Sequence, residues 1–177
     1  MCSGHSALTA GLVTLALSAS SIAGAQTNMI SNGNMEIVSE SAISGWHIHK
    51  PADANGVVQS VGMPVKSGER ALVLQGQGTW MSAGSSRIPI HPAKSYRASA
   101  WILTKRGHAR IQINYWAEDK WLGASDGLQR ITKDQWQQVS VESDPQEFSG
   151  VTRLSVSVVS DGPAVEVYVD DVVMTVR

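Results

Sequence analysis

Arg110, Gln112, Asn114 and Trp116 alternate with Ala109, Ile111, Ile113 and Tyr115. Successive side chains of an extended chain point to opposite faces, so the polar set shares one face and the apolar set the other. One guanidinium, two amides and an indole in a row have the chemistry to hold a sugar. The polar groups hydrogen-bond hydroxyls, and the indole stacks on the apolar face of a pyranose ring. Trp121, Trp80 and Trp101 extend the set. Trp116 and Trp121 bracket Ala117, Glu118, Asp119 and Lys120, a charged turn in which buried rings would be awkward. Trp80 follows Gly76 and Gly78, which offer no side chain to cover a ring, and Trp101 shares a face with Arg97 and Ser99. Trp46 and Trp136 each open a strand and read as structural. An ordinary solvated sheet face carries polar rows as well, and any single Trp can be core.

The remaining constellations are weaker. His47 and His49, at i and i+2, would share a strand face and could form half of a zinc or copper site, but the next acidic residue is Asp53, in a turn. Glu118, Asp119, Asp126 and Glu166 mostly occupy polar, turn-like stretches, which does not suggest an acid pair across a cleft. No Gly-x-Ser-x-Gly segment is present, and the single cysteine, Cys2, lies in the apolar leader. The expectation is a domain that is not an enzyme.

The elements that must position these residues are strands. Residues 71–74, 96–103, 109–116, 136–141, 154–159 and 165–176 alternate with period 2 and are rich in β-branched and aromatic side chains. Asn55-Gly56, Asp126-Gly127 and Asp161-Gly162 supply pairs suited to tight turns. No long window shows a helical period. Many short strands at regular spacing predict an all-β, antiparallel β-sandwich of the jelly-roll type.

Residues 1–25 contain no Asp, Glu, Lys or Arg and end in Ala23-Gly24-Ala25, which reads as a signal peptide cleaved before Gln26. The n-region lacks a basic residue, so retention as an anchor is the alternative, although the apolar stretch is short of the roughly 20 residues of a membrane span. Residues 26–177 then form one domain without cysteine, secreted or periplasmic, with no later membrane segment. The formal charge is −1 with the signs interspersed, which excludes the basic stripe of a nucleic-acid binder. Six Trp and three Tyr against one Phe favour rings with a polar edge, as a binding surface uses.

One resemblance runs through nearly the whole mature chain. Asn28 to Glu36 (Asn-Met-Ile-Ser-Asn-Gly-Asn-Met-Glu) and Gly45-Trp46 open it. Ser67-Gly68-Glu69-Arg70-Ala71-Leu72 and Tyr96-Arg97-Ala98-Ser99-Ala100-Trp101 follow, then Trp136-Gln137-Gln138-Val139 and a closing Val167-Tyr168-Val169-Asp170-Asp171-Val172. In order and spacing these resemble the carbohydrate-binding modules with a galactose-binding-like jelly roll, the group often appended to xylanases and glucanases. Asn34 and Met35 stand where the family opening usually has Asp and Phe; Met can fill the same apolar hole.

The resemblance implies a structural calcium tying the first strand to the last. Glu36 and one of Asp170 and Asp171 would hold it, with backbone carbonyls near Ser67 and Gly68; on alternation only one of the two aspartates faces the ion, and Asp170 is favoured. Calcium takes about six to eight hard oxygens, so two carboxylates and loop carbonyls are a start. The reading is a secreted, non-catalytic domain that binds polysaccharide or glycan on a concave sheet. A protein-interaction domain of the same fold is the alternative, and a jelly-roll hydrolase or lyase the third.

Overall fold

The computed structural model describes Met1 and residues 27–177 apart from Ser41, Thr79, residues 128–130 and Thr132, so the expected leader and Cys2 lie outside the described residues. Among the described residues, eleven strands follow in chain order. Val38–Ser39 (β1) and Ala42–Ile43 (β2) make a two-stranded ribbon. Trp46–His49 (β3), Asn55–Val61 (β4), Ala71–Gln77 (β5), Met81–Ser85 (β6) and Ile88–Pro89 (β7) come next. Tyr96–Ala117 (β8), Lys120–Gly127 (β9), Trp136–Ser143 (β10) and Arg153–Val176 (β11) complete the set.

The strands β8 and β11, 22 and 24 residues long, organise everything else. They pair with each other antiparallel along almost their full length and belong to both layers of the sandwich. One layer runs β10–β8–β11–β5–β4; the other runs β9–β8–β11–β6–β3, with β7 beside β11. The segments 96–103 and 109–116 are therefore two halves of one bent strand. Asp161-Gly162 lies inside β11 at the bend rather than in a hairpin turn.

The bend is a glycine corner. Gly107 on β8 has φ +79° and Gly162 on β11 has φ +131°, both in the region that favours residues without a Cβ. A Cβ on Gly107 would lie 2.8 Å from the Asp161 carbonyl oxygen, and one on Gly162 would lie 3.3 Å from the Gly107 Cα. The two strands leave no room for a side chain at Gly107, and their register shifts between Asp161 and Glu166.

Alternation delivers the core. Ile111, Ile113 and Tyr115 of β8 and Leu154, Val156 and Val158 of β11 are fully buried from one layer. Ala98, Ala100, Ile102, Leu74, Val167 and Val169 meet them from the other, in one continuous cluster. Each large aliphatic chain buried this way contributes about 1.5–3 kcal/mol. The Tyr115 ring also stacks on Phe148 at 4.3 Å between centroids.

The chain start is stitched to its last strand. The Met29 amide donates to the Met174 carbonyl at 2.9 Å, and Asn28 uses its side-chain amide to donate to Val172 and accept from Met174. Gly33 sits so close to Val172 that a Cβ there would lie 2.0 Å from the carbonyl oxygen. Met35, at the position where the resemblance has Phe, is fully buried.

Candidate functional site: a cleft on the β9–β8–β11–β6–β3 layer

The outward face of this layer is an open cleft of about 1230 Å³. Its floor comes from residues too small to fill it: Ser82 and Gly84 of β6, and Ser155 and Ser157 of β11, the three serines all buried. Gly84 is backed by Ser157, whose Oγ would lie 2.9 Å from a Cβ on the glycine. Asn114 donates from Nδ2 to the Ser157 Oγ at 2.9 Å, which fixes its amide in the floor.

Arg110, Gln112, Asn114 and Trp116 all line the cleft, as the alternation of β8 requires, and Trp80 and Trp121 join them. Trp80 stands at the start of β6 and Trp121 on β9, 48% and 55% exposed, so both rings offer free faces. By register Trp80 lies beyond the Met81–Ser160 pair, and Trp121 lies beside Trp116, which pairs with Arg153. About seven residues of β11 separate those levels, roughly 23 Å along the strand.

The Trp116 ring is already committed. Its Nε1 donates to Ser155 Oγ at 3.0 Å, and the Arg87 guanidinium lies 4.0 Å above the ring centroid in a cation–π contact. Trp116 therefore positions Arg87 and the floor, and the free platforms are Trp121 and Trp80. Trp101 is not brought to the cleft. It projects from the other layer, with Lys66 Nζ 4.0 Å above its ring. Trp46 is buried at the cleft margin and donates from Nε1 to the Asn32 carbonyl at 3.1 Å.

Two cleft arginines carry no local sequence signal. Arg87, in the link between β6 and β7, pairs with Asp119; Arg153, at the start of β11, pairs with Glu118 at 3.1 Å. Arg110 is held by Asp161 at 2.8 Å and Asp126 at 3.6 Å. His47 and His49 register opposite Gly84 and Ser82 and line the far wall on the edge strand β3. No group of three or more metal-ligating side chains forms among the described residues.

The second expected site is a clasp on the link between β4 and β5. Glu36 Oε1 accepts from the Glu69 and Arg70 amides at 2.9 and 3.1 Å. Asp170 Oδ2 accepts from the Lys66 and Ser67 amides at 2.9 and 3.1 Å, and Asp171 Oδ1 accepts from Ser67 Oγ at 3.0 Å. Gly68 is pressed against Glu36, whose Oε1 would lie 2.1 Å from a Cβ there. Both aspartates reach the same serine, whereas strict alternation turns only one of the pair, with Asp170 favoured, toward the site. A bulge between Asp170 and Val173, with Asp171 at φ +47°, breaks the alternation. The loop also presents amides, not the expected carbonyls, to Glu36 and Asp170. Burial pushes the Asp170 carboxyl above its ordinary value, against the backbone hydrogen bonds from Ser67, Lys66 and Asp171. Three carboxylates thus meet on one loop, and none has a salt bridge to a cationic side chain among the described residues. These oxygens accept from loop N–H and O–H donors, and among the described residues they form no group of three metal-ligating side chains.

No protein-family model matches the chain, and no curated relative does. Its fold matches solved structures. The carbohydrate-binding module TmCBM61, solved in complex with β-1,4-galactotriose, superimposes with TM-score 0.57 at 15% identity over 85% of this chain and 99% of that one. A Stig cyclase, Fisc of Fischerella sp. TAU, gives TM-score 0.61 at 14% identity over 85% and 96%. The enzymatically active domain of tailspike protein 4 of bacteriophage CBA120 gives 0.67 at 11% identity over 85% of this chain, which spans only 21% of that one. At these identities the likeness establishes the fold: a β-sandwich jelly roll of the type found in carbohydrate-binding modules.

Proposed function

We propose that this domain is a secreted, non-catalytic carbohydrate-binding module that lays a stretch of glycan chain along the cleft. The observation that carries the reading is the pairing of two exposed indoles, Trp121 and Trp80, with a floor of hydroxyl and amide groups too small to block access. Sugars present apolar ring faces and hydroxyl edges, and the cleft offers a partner to each. Gln112 provides a donor and an acceptor, Arg110 provides donors in a fixed fork, and Asn114 is held between Ser157 and Trp121 in the floor.

No carboxylate lines the cleft among the described residues, so it lacks the acid pair on which most glycoside hydrolysis depends. This supports binding over catalysis. The apolar leader ending in Ala23-Gly24-Ala25 supports export, and no helix among the described residues is long and apolar enough to cross a membrane. A calcium ion held by Glu36, Asp170 and Asp171 would pin the chain start and the last strand to the loop beside β5, a structural role that needs no contact with the ligand.

Affinity electrophoresis of the protein through gels carrying xylan, β-glucan, mannan, galactan or pectin tests the reading. Retardation by at least one polymer is expected, and its loss in Trp121→Ala with an unchanged melting temperature would locate the site. Failure of every polymer to retard the protein would overturn it.

A further inference from the structure

The charged side chains that line the cleft are all basic, each arginine being paired with a carboxylate just beyond the lining. The lining contains three guanidiniums, Arg87, Arg110 and Arg153, and two imidazoles, His47 and His49, but no carboxylate among the described residues. The acids that pair with the arginines stand outside the lining. They are also the more exposed partners: Asp119 at 91% against Arg87 at 33%, and Glu118 at 70% against Arg153 at 42%. Asp126 and Asp161, at 39% and 43%, face Arg110 at 32%. Water therefore screens the acids more than it screens the guanidiniums. Pairs this exposed are worth about 0–1 kcal/mol each, so a ligand can share or replace them at little cost.

The pairs also leave donors to spare. Arg153 meets Glu118 through Nη2 and Arg87 meets Asp119 through Nη1, while Arg110 uses Nη1 and Nε on its two aspartates. A guanidinium has five N–H donors in a planar fork that matches a carboxylate, so each arginine is held by an outer acid while still carrying donors for a second one. Arg87 is immobilised further by Trp116 beneath it. Ordering these long side chains before a ligand arrives removes an entropic cost of roughly 0.5–1.5 kcal/mol per side chain from binding.

From this we propose that the glycan is acidic, a uronate-bearing polysaccharide whose carboxylates are received by Arg110 and Arg153, with Arg87 and the histidines lining the rest of the path. The proposal rests on the cleft being a glycan site and adds the chemical class. Uncharged sugars would leave the charge asymmetry of the lining unused. Carboxylates spaced along a chain would use it at several points while the indoles stack the rings between.

The test compares polymers that share a backbone. Affinity electrophoresis of the full protein is run with immobilised polygalacturonate, the same polymer after reduction of its carboxyl groups, dextran sulfate, and neutral xylan and galactan, each in 20 mM and 500 mM NaCl. Polygalacturonate should retard the protein most, with at least about a tenfold weaker apparent affinity after carboxyl reduction and a several-fold loss at high salt, as exposed charges are screened. Arg153→Gln should reduce that preference several-fold and leave the weaker neutral binding, whereas Arg110→Gln should weaken both. Equal retardation by the reduced polymer, or retardation by neutral polymers alone, would overturn the acidic assignment while leaving the glycan reading standing. Retardation by dextran sulfate as strong as by polygalacturonate would overturn the carboxylate assignment in favour of charge density. No retardation by any polymer would overturn both.

Discussion

The two halves of β8 carry similar outward residues and end in different surfaces. Arg97, Ser99 and Trp101 project from one half; Arg110, Gln112, Asn114 and Trp116 project from the other. On the first half the neighbouring β10 sets Glu142, Ser140 and Gln138 beside them, Arg97 donates to Ser140 Oγ at 3.3 Å, and Lys66 covers Trp101. That face is level. On the second half the neighbours supply Ser155 and Ser157 from β11, with Ser82 and Gly84 beyond on β6, and the face drops into a cleft. What makes the hollow is the smallness of the side chains next to the polar row, not the row itself.

That contrast can be broken most severely at the corner that separates the halves. Gly107→Val places a branched side chain at φ +79° against two carbonyl oxygens and should cost roughly 2–4 kcal/mol in urea unfolding. A stability equal to wild type would mean that the corner relaxes freely. On the level half, Glu36→Ala removes the carboxylate that accepts two loop amides and should cost about 2 kcal/mol. If the clasp holds calcium, EDTA should lower the melting temperature of the wild type and leave that of the variant unmoved.

The cleft half should respond in binding instead. Trp121→Ala should weaken glycan affinity at least about tenfold, as truncation of an exposed aromatic anchor commonly does. Trp101→Ala, on the level half, should leave affinity unchanged; equal losses in the two variants would erase the distinction between the faces. The smallest effect is expected beside the corner. The Arg106 hydrogen bond, helped by one from Tyr168, holds the Glu166 carboxyl below its ordinary value of 4.5. A lowered carboxylate stabilises the fold above the unfolded value, and the contribution is lost as pH falls through the folded one. Glu166→Gln should therefore cost at most about 0.5 kcal/mol at neutral pH, and the difference from wild type should vanish under acid conditions.

Much of this architecture is legible in the sequence because a period of 2 is strict wherever one face is buried. It places Ile111, Ile113 and Tyr115 in the core and Arg110 to Trp116 on one face without any knowledge of partners. It does not say which strand lies alongside, and so gives Trp101 and Trp116 the same standing. Arg87 and Arg153 escape notice because nothing near them in sequence marks a site; they reach the cleft through pairings with residues far along the chain. The choice between Asp170 and Asp171 stays open in the sequence for a different reason. Alternation assumes a regular strand, and a bulge at Asp171 turns both aspartates toward Ser67.

The strand shared by both layers also sets an order of events. β11 is the last of these strands in the chain and bonds to β5, β6, β7 and β8. Strands β9 and β10 pair with β8 directly, but β5, β6 and β7 join β8 only through residues 153–176. Most of the pairings span long stretches of sequence, a topology that folds slowly. Because β11 joins both layers, truncation within it should remove both layers and not merely one edge.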